Sequence, residues 1–214
     1  MAIELTVSPD LATILRIGVL TCDITRVMEH DTDLDDPLSQ TEGVVTRSGG
    51  GFDVGPARQL YHSIGIDPTK TRPSSEALLR RVRRGDRLPR INTLVDICNW
   101  CSLEAQLPYG LYDLDRVEPP VTLRRGRPGE AYAGIRKDEV HLDGRLALAD
   151  TRGPFGNPTS DSARTMVTTS ARRLLVVVFG PVMVTSSAIS RVLNMTATRY
   201  ARFAGGVETW RWVA

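Results

Sequence analysis

The chain has 214 residues, of which 41% are apolar and 24% charged; this excludes wholesale disorder, and the length predicts one domain that folds without staples. A net charge of +2 is too small by itself to name nucleic acid as a partner. Three cysteines cannot close a disulfide framework, so a cytoplasmic setting is expected.

The longest apolar run, Leu174 to Val184, has 11 residues and contains Gly180 and Pro181, so no bilayer span and no membrane partner are expected. Glu4 and Arg16 argue against a secretion signal. Basic residues comprise 25 arginines and 2 lysines, a bias that a GC-rich coding sequence produces without selection for anion recognition.

In chain order, residues 13–20 read as a buried strand. An acidic stretch (Glu29, Asp31, Asp33, Asp35, Asp36) and the glycine run Gly49 to Gly51 follow, and residues 29–52 read as a flexible surface segment. A short helix is predicted over Pro56 to Ile64. Ser74 as N-cap and Gly85 as terminator bound a second helix. A third spans about Asn92 to Gln106, with Asn92, Asp96 and Asn99 forming a polar row opposite an apolar stripe.

After Pro119–Pro120 the period changes to two. Val121 to Arg125 and Glu130 to Gly134 flank Gly-Arg-Pro-Gly, and Val140 to Leu142 and Arg145 to Leu148 flank Asp143-Gly144, so two hairpins are predicted. Thr165 to Thr169 and Leu174 to Phe179 read as strands. A helix over Ser187 to Phe203, closed by Gly205-Gly206, precedes an edge strand at Thr209 to Val213. The predicted class is α+β, with a mixed, mainly antiparallel sheet and packed helices.

Cys98-x-x-Cys101 lies on the apolar stripe of a predicted helix. Cys22 and the histidines His30, His62 and His141 show no matching ligand spacing, so buried small hydrophobes are expected there, with no metal and no cofactor. No catalytic triad is readable.

Arg80 to Arg90 hold six arginines in eleven residues. They read either as a phosphate-contacting patch, with Arg80, Arg83, Arg84 and Arg87 facing RNA, or as a solvated helix end opposing the C-terminal dipole. The loop Gly153 to Thr165 gathers Asp161, Ser162, Arg164 and Thr165: an acceptor, two hydroxyls and a bidentate donor. That set fits an amino acid or another zwitterion; the same residues also fit a turn satisfied by its own backbone.

Three stretches carry a resemblance: Thr71 to Val82, Arg90 to Asn99 and Leu107 to Asp115, continued by Gly129-Glu130, Ala149-Asp150 and Pro158 to Thr165. Together they resemble the stand-alone relatives of the B3/B4 domain, the tRNA-editing domain of the phenylalanyl-tRNA synthetase beta subunit. The resemblance implies one such domain over residues 1–214, with its core at about 56–180 and a C-terminal helix and edge strand at 187–214. It also implies a pocket between the Asn92–Gln106 helix, the Leu107–Asp113 turn and the Gly153–Thr165 loop. In that pocket Asp161 and Arg164 are the catalytic candidates. Asn99, Tyr109, Gly110, Tyr112, Phe155, Ser162 and Thr165 are the substrate-binding candidates.

The chain departs from the synthetase at two places. Gly110 stands where the synthetase has a histidine, and Leu174 to Val178 cover the strand where it has a glutamate. The implied function is binding of an amino acid or the aminoacyl end of tRNA, with hydrolysis in trans resting on water held by hydroxyls and backbone amides. A small-molecule biosynthetic enzyme reusing the pocket and a non-catalytic interaction domain are the other two classes, with a free small molecule as partner in the first. The sequence leaves the oligomeric state open.

Overall fold

The computed structural model describes residues 3–48, 51–135 and 139–214. Its ten strands and six α-helices, counted among the described residues, make an α+β fold.

Two strands form the spine. β2 (Leu15–Asp23) and β9 (Arg173–Pro181) pair antiparallel along their full lengths, from Leu15 opposite Pro181 to Asp23 opposite Arg173. β9 is buried on both sides, which explains its unbroken run Leu174 to Phe179. Leu174, Val176 and Val178 enter one core, and Leu175, Val177 and Phe179 enter another. The period-two geometry of a strand divides one apolar run between two layers. β3 (Tyr109–Asp113) pairs with β9 on one flank, and β10 (Val207–Val213) pairs with β2 on the other as an edge strand, as expected.

Helices cover the first core. α2 (Asp35–Arg47), α4 (Ser74–Arg83), α5 (Thr93–Ala105) and α6 (Ser186–Ala204) contribute Leu38, Leu79, Leu94 and Ile189 to it. The second core lies between the other face of the spine and a second sheet. That sheet runs β1 (Leu5–Val7), β4 (Val121–Arg125), β7 (Leu146–Asp150), β8 (Gly153–Gly156), with β1 parallel to β4 and the other pairs antiparallel. α3 (Gly55–Ser63) adds Leu60 and Tyr61 to this core, and α1 (Pro9–Ala12) adds Leu11.

Several expectations are corrected. The acidic segment over 29–52 forms a 3-10 turn at Thr32–Leu34 and then α2. Leu34, Leu38, Thr41 and Val45 recur at helical spacing and are buried, and this apolar stripe holds the segment against the first core. Asp31 accepts the Asp33 amide as a cap, and Asp35 and Asp36 occupy the first turn of α2, where the helix dipole favours anions. Gly49 and Gly50 of the glycine run lie outside the described residues. Ser74 is not an N-cap; Pro73 holds that position and Ser74 begins the helix. Residues 165–169 form no strand, because a 3-10 turn at Ala163–Thr165 is followed by irregular backbone.

The two hairpins also pair differently. β4 pairs with β7, and β5 (Ala131–Ala133) pairs with β6 (Glu139–His141). Val121, Leu123, Leu146 and Leu148 share the second core, so long-range burial selects the β4–β7 pairing over the local turn signals. The two turns instead meet at the neck of an excursion. The Gly144 amide donates to the Gly126 carbonyl, the Gly129 amide donates to Asp143, and Arg124 grips Glu130 with two bonds of 2.7 Å.

Candidate functional site

α5 begins at Asn92, whose side chain accepts the Leu94 and Val95 amides at 3.1 and 3.0 Å. This local cap fixes the rotation of the helix. Val95, Asn99 and Ser102 then recur on one face and line a cavity of about 380 Å³. The expected polar row is therefore split. Asn92 is spent as a cap, and Asp96 is buried against Arg90 Nε, at 2.7 Å, and the Ile91 amide. Asn99 alone reaches the cavity.

Tyr109 and Leu111 of β3 supply the second wall, Ser74 and Leu78 of α4 the third, and the turn Asn157 to Asp161 the fourth. The turn is shaped by Asn157, whose side-chain oxygen accepts the Thr159 and Ser160 amides at 2.8 and 2.9 Å. Its end is tied to the excursion, since the Ile135 amide donates to the Asp161 carbonyl, and Ile135 joins the lining.

Three expected site residues thus converge: Asn99, Tyr109 and Asp161. Tyr109 presents its ring, because its hydroxyl is engaged with Thr196 Oγ1 at 3.0 Å. Asp161 Oδ1 and Ser74 Oγ are shut off from solvent without a hydrogen-bond partner. Asp161 as a residue is only half-buried, so the sealed part is the carboxyl end. Burial pushes its carboxyl up to about 7, against a smaller opposing pull from the nearby Tyr112 hydroxyl and Leu111 backbone, neither of which closes a hydrogen bond on Oδ1.

Gly110, Tyr112 and Phe155 form the tissue behind the cavity. A β-carbon at Gly110 or at Gly156 would overlap the Tyr112 hydroxyl, so the phenol fills a slot between β3 and β8 that only two glycines leave open. Tyr112 meets Phe155 edge to face at 4.9 Å, and both are fully buried.

The remaining loop residues do not line the cavity. Ser162 caps the 3-10 turn by accepting the Arg164 amide at 3.1 Å, and Thr165 is fully buried with its hydroxyl unpartnered. Arg164 is a correction to the expected zwitterion site. Its guanidinium makes two 2.9 Å bonds to the buried carboxylate of Asp150, donates to the Arg116 carbonyl and lies over the Phe155 ring. The donor read as ligand-binding clamps the loop to β7.

The arginine run also divides. Arg80, Arg83 and Arg84 surround one surface depression together with Arg72. Arg87 lines another, with His30, Glu42 and Arg90. The buried Glu76 carboxylate is gripped by Arg58 at 2.7 and 2.8 Å and flanked by Arg72 and Arg80 at 3.7 and 3.5 Å; the Arg58 hydrogen bonds hold it below the usual carboxylate range.

Cys98 and Cys101 are buried on α5, as expected, and burial pushes both thiols above their ordinary value. Cys98 therefore meets the cavity as a neutral thiol, a poor nucleophile. His30, His62 and His141 all lie outside the cavity.

The sequence reading missed Ser74 as a lining residue by treating it as a cap. It also missed the apolar lining from Leu78, Val95, Met166 and Val167. Leu78 and Val95 lie on predicted helices, but residues 166 and 167 were read as part of a strand and sit in irregular backbone after a turn, where period-two alternation does not mark which side faces inward.

A family model described as "B3/4 domain" matches residues 56–213. The phenylalanine–tRNA ligase beta subunit of Xanthomonas campestris pv. campestris is 40% identical over 91 residues, 42% of this chain and 11% of that protein. The Streptomyces avermitilis beta subunit is 28% identical over 151 residues, 67% of this chain and 18% of that protein. The crystal structure of an N-terminal fragment of the phenylalanyl-tRNA synthetase beta subunit from Pyrococcus horikoshii superposes with a TM-score of 0.51. It covers all of this chain and 55% of that one at 14% identity, a likeness of fold. The matches thus span a small part of the curated relatives. No helix among the described residues is long and apolar enough to cross a membrane.

Proposed function

The chain belongs to the B3/4 domain family, and we propose that its cavity binds an amino acid or the aminoacyl end of a tRNA and favours hydrolysis of the ester. The observation that supports this most directly is the meeting of Asn99, Tyr109 and Asp161, from three separate elements, on one cavity of about 380 Å³. That volume fits an amino acid side chain with its ester. In this reading the Asn99 amide orients the ester and its attacking water, and the apolar wall from Leu78, Val95 and Met166 receives the side chain. Arg80, Arg83 and Arg84 then meet the phosphate backbone from another face of α4, the helix that also gives Ser74 and Leu78 to the cavity.

The test is retention of a set of aminoacyl-tRNAs on filters at two salt concentrations, with release of the amino acid followed over time. Binding that weakens with salt, and weakens further in the double variant Arg83→Ala/Arg84→Ala, is expected. Deacylation is expected to fall at least about tenfold in Asn99→Ala. Neither retention at low salt nor deacylation above the uncatalysed rate would leave the reading without support.

A further inference from the structure

The arginines gathered along α4 outnumber the acids that offset them. Arg58 comes from α3, Arg72 stands just before α4, and Arg80, Arg83 and Arg84 occupy its last turns. Among the described residues, the ion pairs of these five reach two carboxylates, Glu76 and Asp86. Glu76 is buried, and Arg58 takes both of its oxygens at 2.7 and 2.8 Å. Arg72 and Arg80 stand 3.7 and 3.5 Å from the same carboxylate and close no hydrogen bond on it. Asp86 faces Arg84 across 3.6 Å, both side chains being exposed. Arg72, Arg80, Arg83 and Arg84 donate no side-chain hydrogen bond to a described residue, and together they line a hollow of about 360 Å³ with Ala77 between them.

Helix stabilisation does not account for this set. Arg80, Arg83 and Arg84 complement the negative end of the α4 dipole, but Arg72 precedes the helix, at its positive end, where a cation is disfavoured. Glu76 offsets that cost for Arg72. One buried carboxylate, already satisfied by Arg58, thus draws arginines from both ends of α4 to the side of a single hollow. Guanidinium groups bind phosphate oxygens bidentately, and their unspent donors here converge. An anion that brings several charges to one point relieves such a cluster. A diphosphate does this, whereas an RNA backbone brings its charges singly along a strand.

We propose that Arg72, Arg80, Arg83 and Arg84 form a binding site for a diphosphate group, carried by the free anion or by a nucleoside diphosphate. The site goes beyond the RNA contact proposed above. It shares three arginines with that contact and does not depend on it.

Calorimetric titration of the intact protein, at fixed ionic strength and without divalent cations, tests this. The probes are pyrophosphate, ADP, orthophosphate and dimethyl phosphate, the last standing for a backbone diester. Pyrophosphate is expected to bind about tenfold or more tightly than orthophosphate or dimethyl phosphate. ADP that matches pyrophosphate assigns the site to nucleotides as well; ADP that falls to the orthophosphate level assigns it to the free anion. The double variant Arg80→Ala/Arg84→Ala is expected to weaken pyrophosphate about tenfold or more. Ala77→Leu, at an exposed helical position, changes no charge but fills the hollow, and is expected to weaken pyrophosphate about threefold or more. Diffuse attraction to a charged helix end would leave Ala77→Leu at wild-type affinity. Pyrophosphate that binds no better than dimethyl phosphate, or that keeps its affinity in either variant, overturns the inference. Should a variant fail to fold by thermal melting, the comparison of probes on the wild type decides. Retention of tRNA without pyrophosphate binding overturns the inference and leaves the function proposed above standing. Pyrophosphate binding without tRNA retention supports the inference and counts against that function.

Discussion

At Gly110 the side chain is absent because another occupies its place. The Tyr112 ring reaches back between β3 and β8, and its hydroxyl stands where a β-carbon of residue 110 or 156 would project. A larger side chain at this position has no room here. Gly110→Ala forces the phenol to move within a full core, so it is expected to cost about 1–3 kcal/mol by urea denaturation. Tyr112→Phe removes a hydroxyl that has no hydrogen-bond partner, and alone is expected to change stability by less than about 1 kcal/mol. The double variant is expected to recover part of the Gly110→Ala loss, a coupling of at least about 0.5 kcal/mol. Strict additivity would show that the two positions do not compete for this space.

Elements are held by a few polar ties, and these separate scaffold from site. Arg164 joins the turn after Ser162 to β7 through the fully buried Asp150 side chain. Arg164→Ala strands that carboxylate, so a loss of roughly 3 kcal/mol is expected. Ligand affinity measured below the lowered melting temperature is expected to stay within about twofold, since the side chain never lines the cavity. A large affinity loss in the still-folded variant would return Arg164 to the site. Asn92→Ala removes the acceptor for two amides at the head of α5 and is expected to cost about 1 kcal/mol.

These ties also mark what the sequence made legible. The spine strands, α3, α5, α6 and the edge strand followed from periodicity and terminators, because those signals are local. The role of Asn92 as a cap, the pairing of Arg164 with Asp150 and the choice of β7 as partner of β4 are decided by residues 14 or more positions away or by competition between uses of one side chain. The helix α2 was hidden because the acids crowded at and before its start, from Glu29 to Asp36, mask the apolar stripe Leu34, Leu38 and Val45 that anchors it. Of the candidate site, Asn99, Tyr109 and Asp161 were readable as a set through the resemblance; Ser74 was not, since serine before a helix reads first as a cap.

For the whole molecule, the buried acids set opposing pH dependences. Glu76 is held low by Arg58, so its contribution is present above its unfolded value and is lost as pH falls through the lower folded one. Asp161 has the reverse sign. Its carboxyl is raised from 3.8 to about 7, so the native state keeps a proton that the unfolded chain has already released. Stability therefore falls as pH rises from about 4 to 7 and levels off above that, by no more than about 4 kcal/mol. Asp161→Asn is expected to flatten this slope in urea midpoints taken across the range, while leaving unchanged the acid limb to which Glu76 contributes along with Asp35, Asp67 and Glu130. Glu76→Gln is expected to weaken the acid limb and keep the Asp161 slope. If wild type and Asp161→Asn trace parallel stability curves between pH 4 and 7, the Asp161 carboxyl titrates alike in both states. It would then not be sealed from water in the native state.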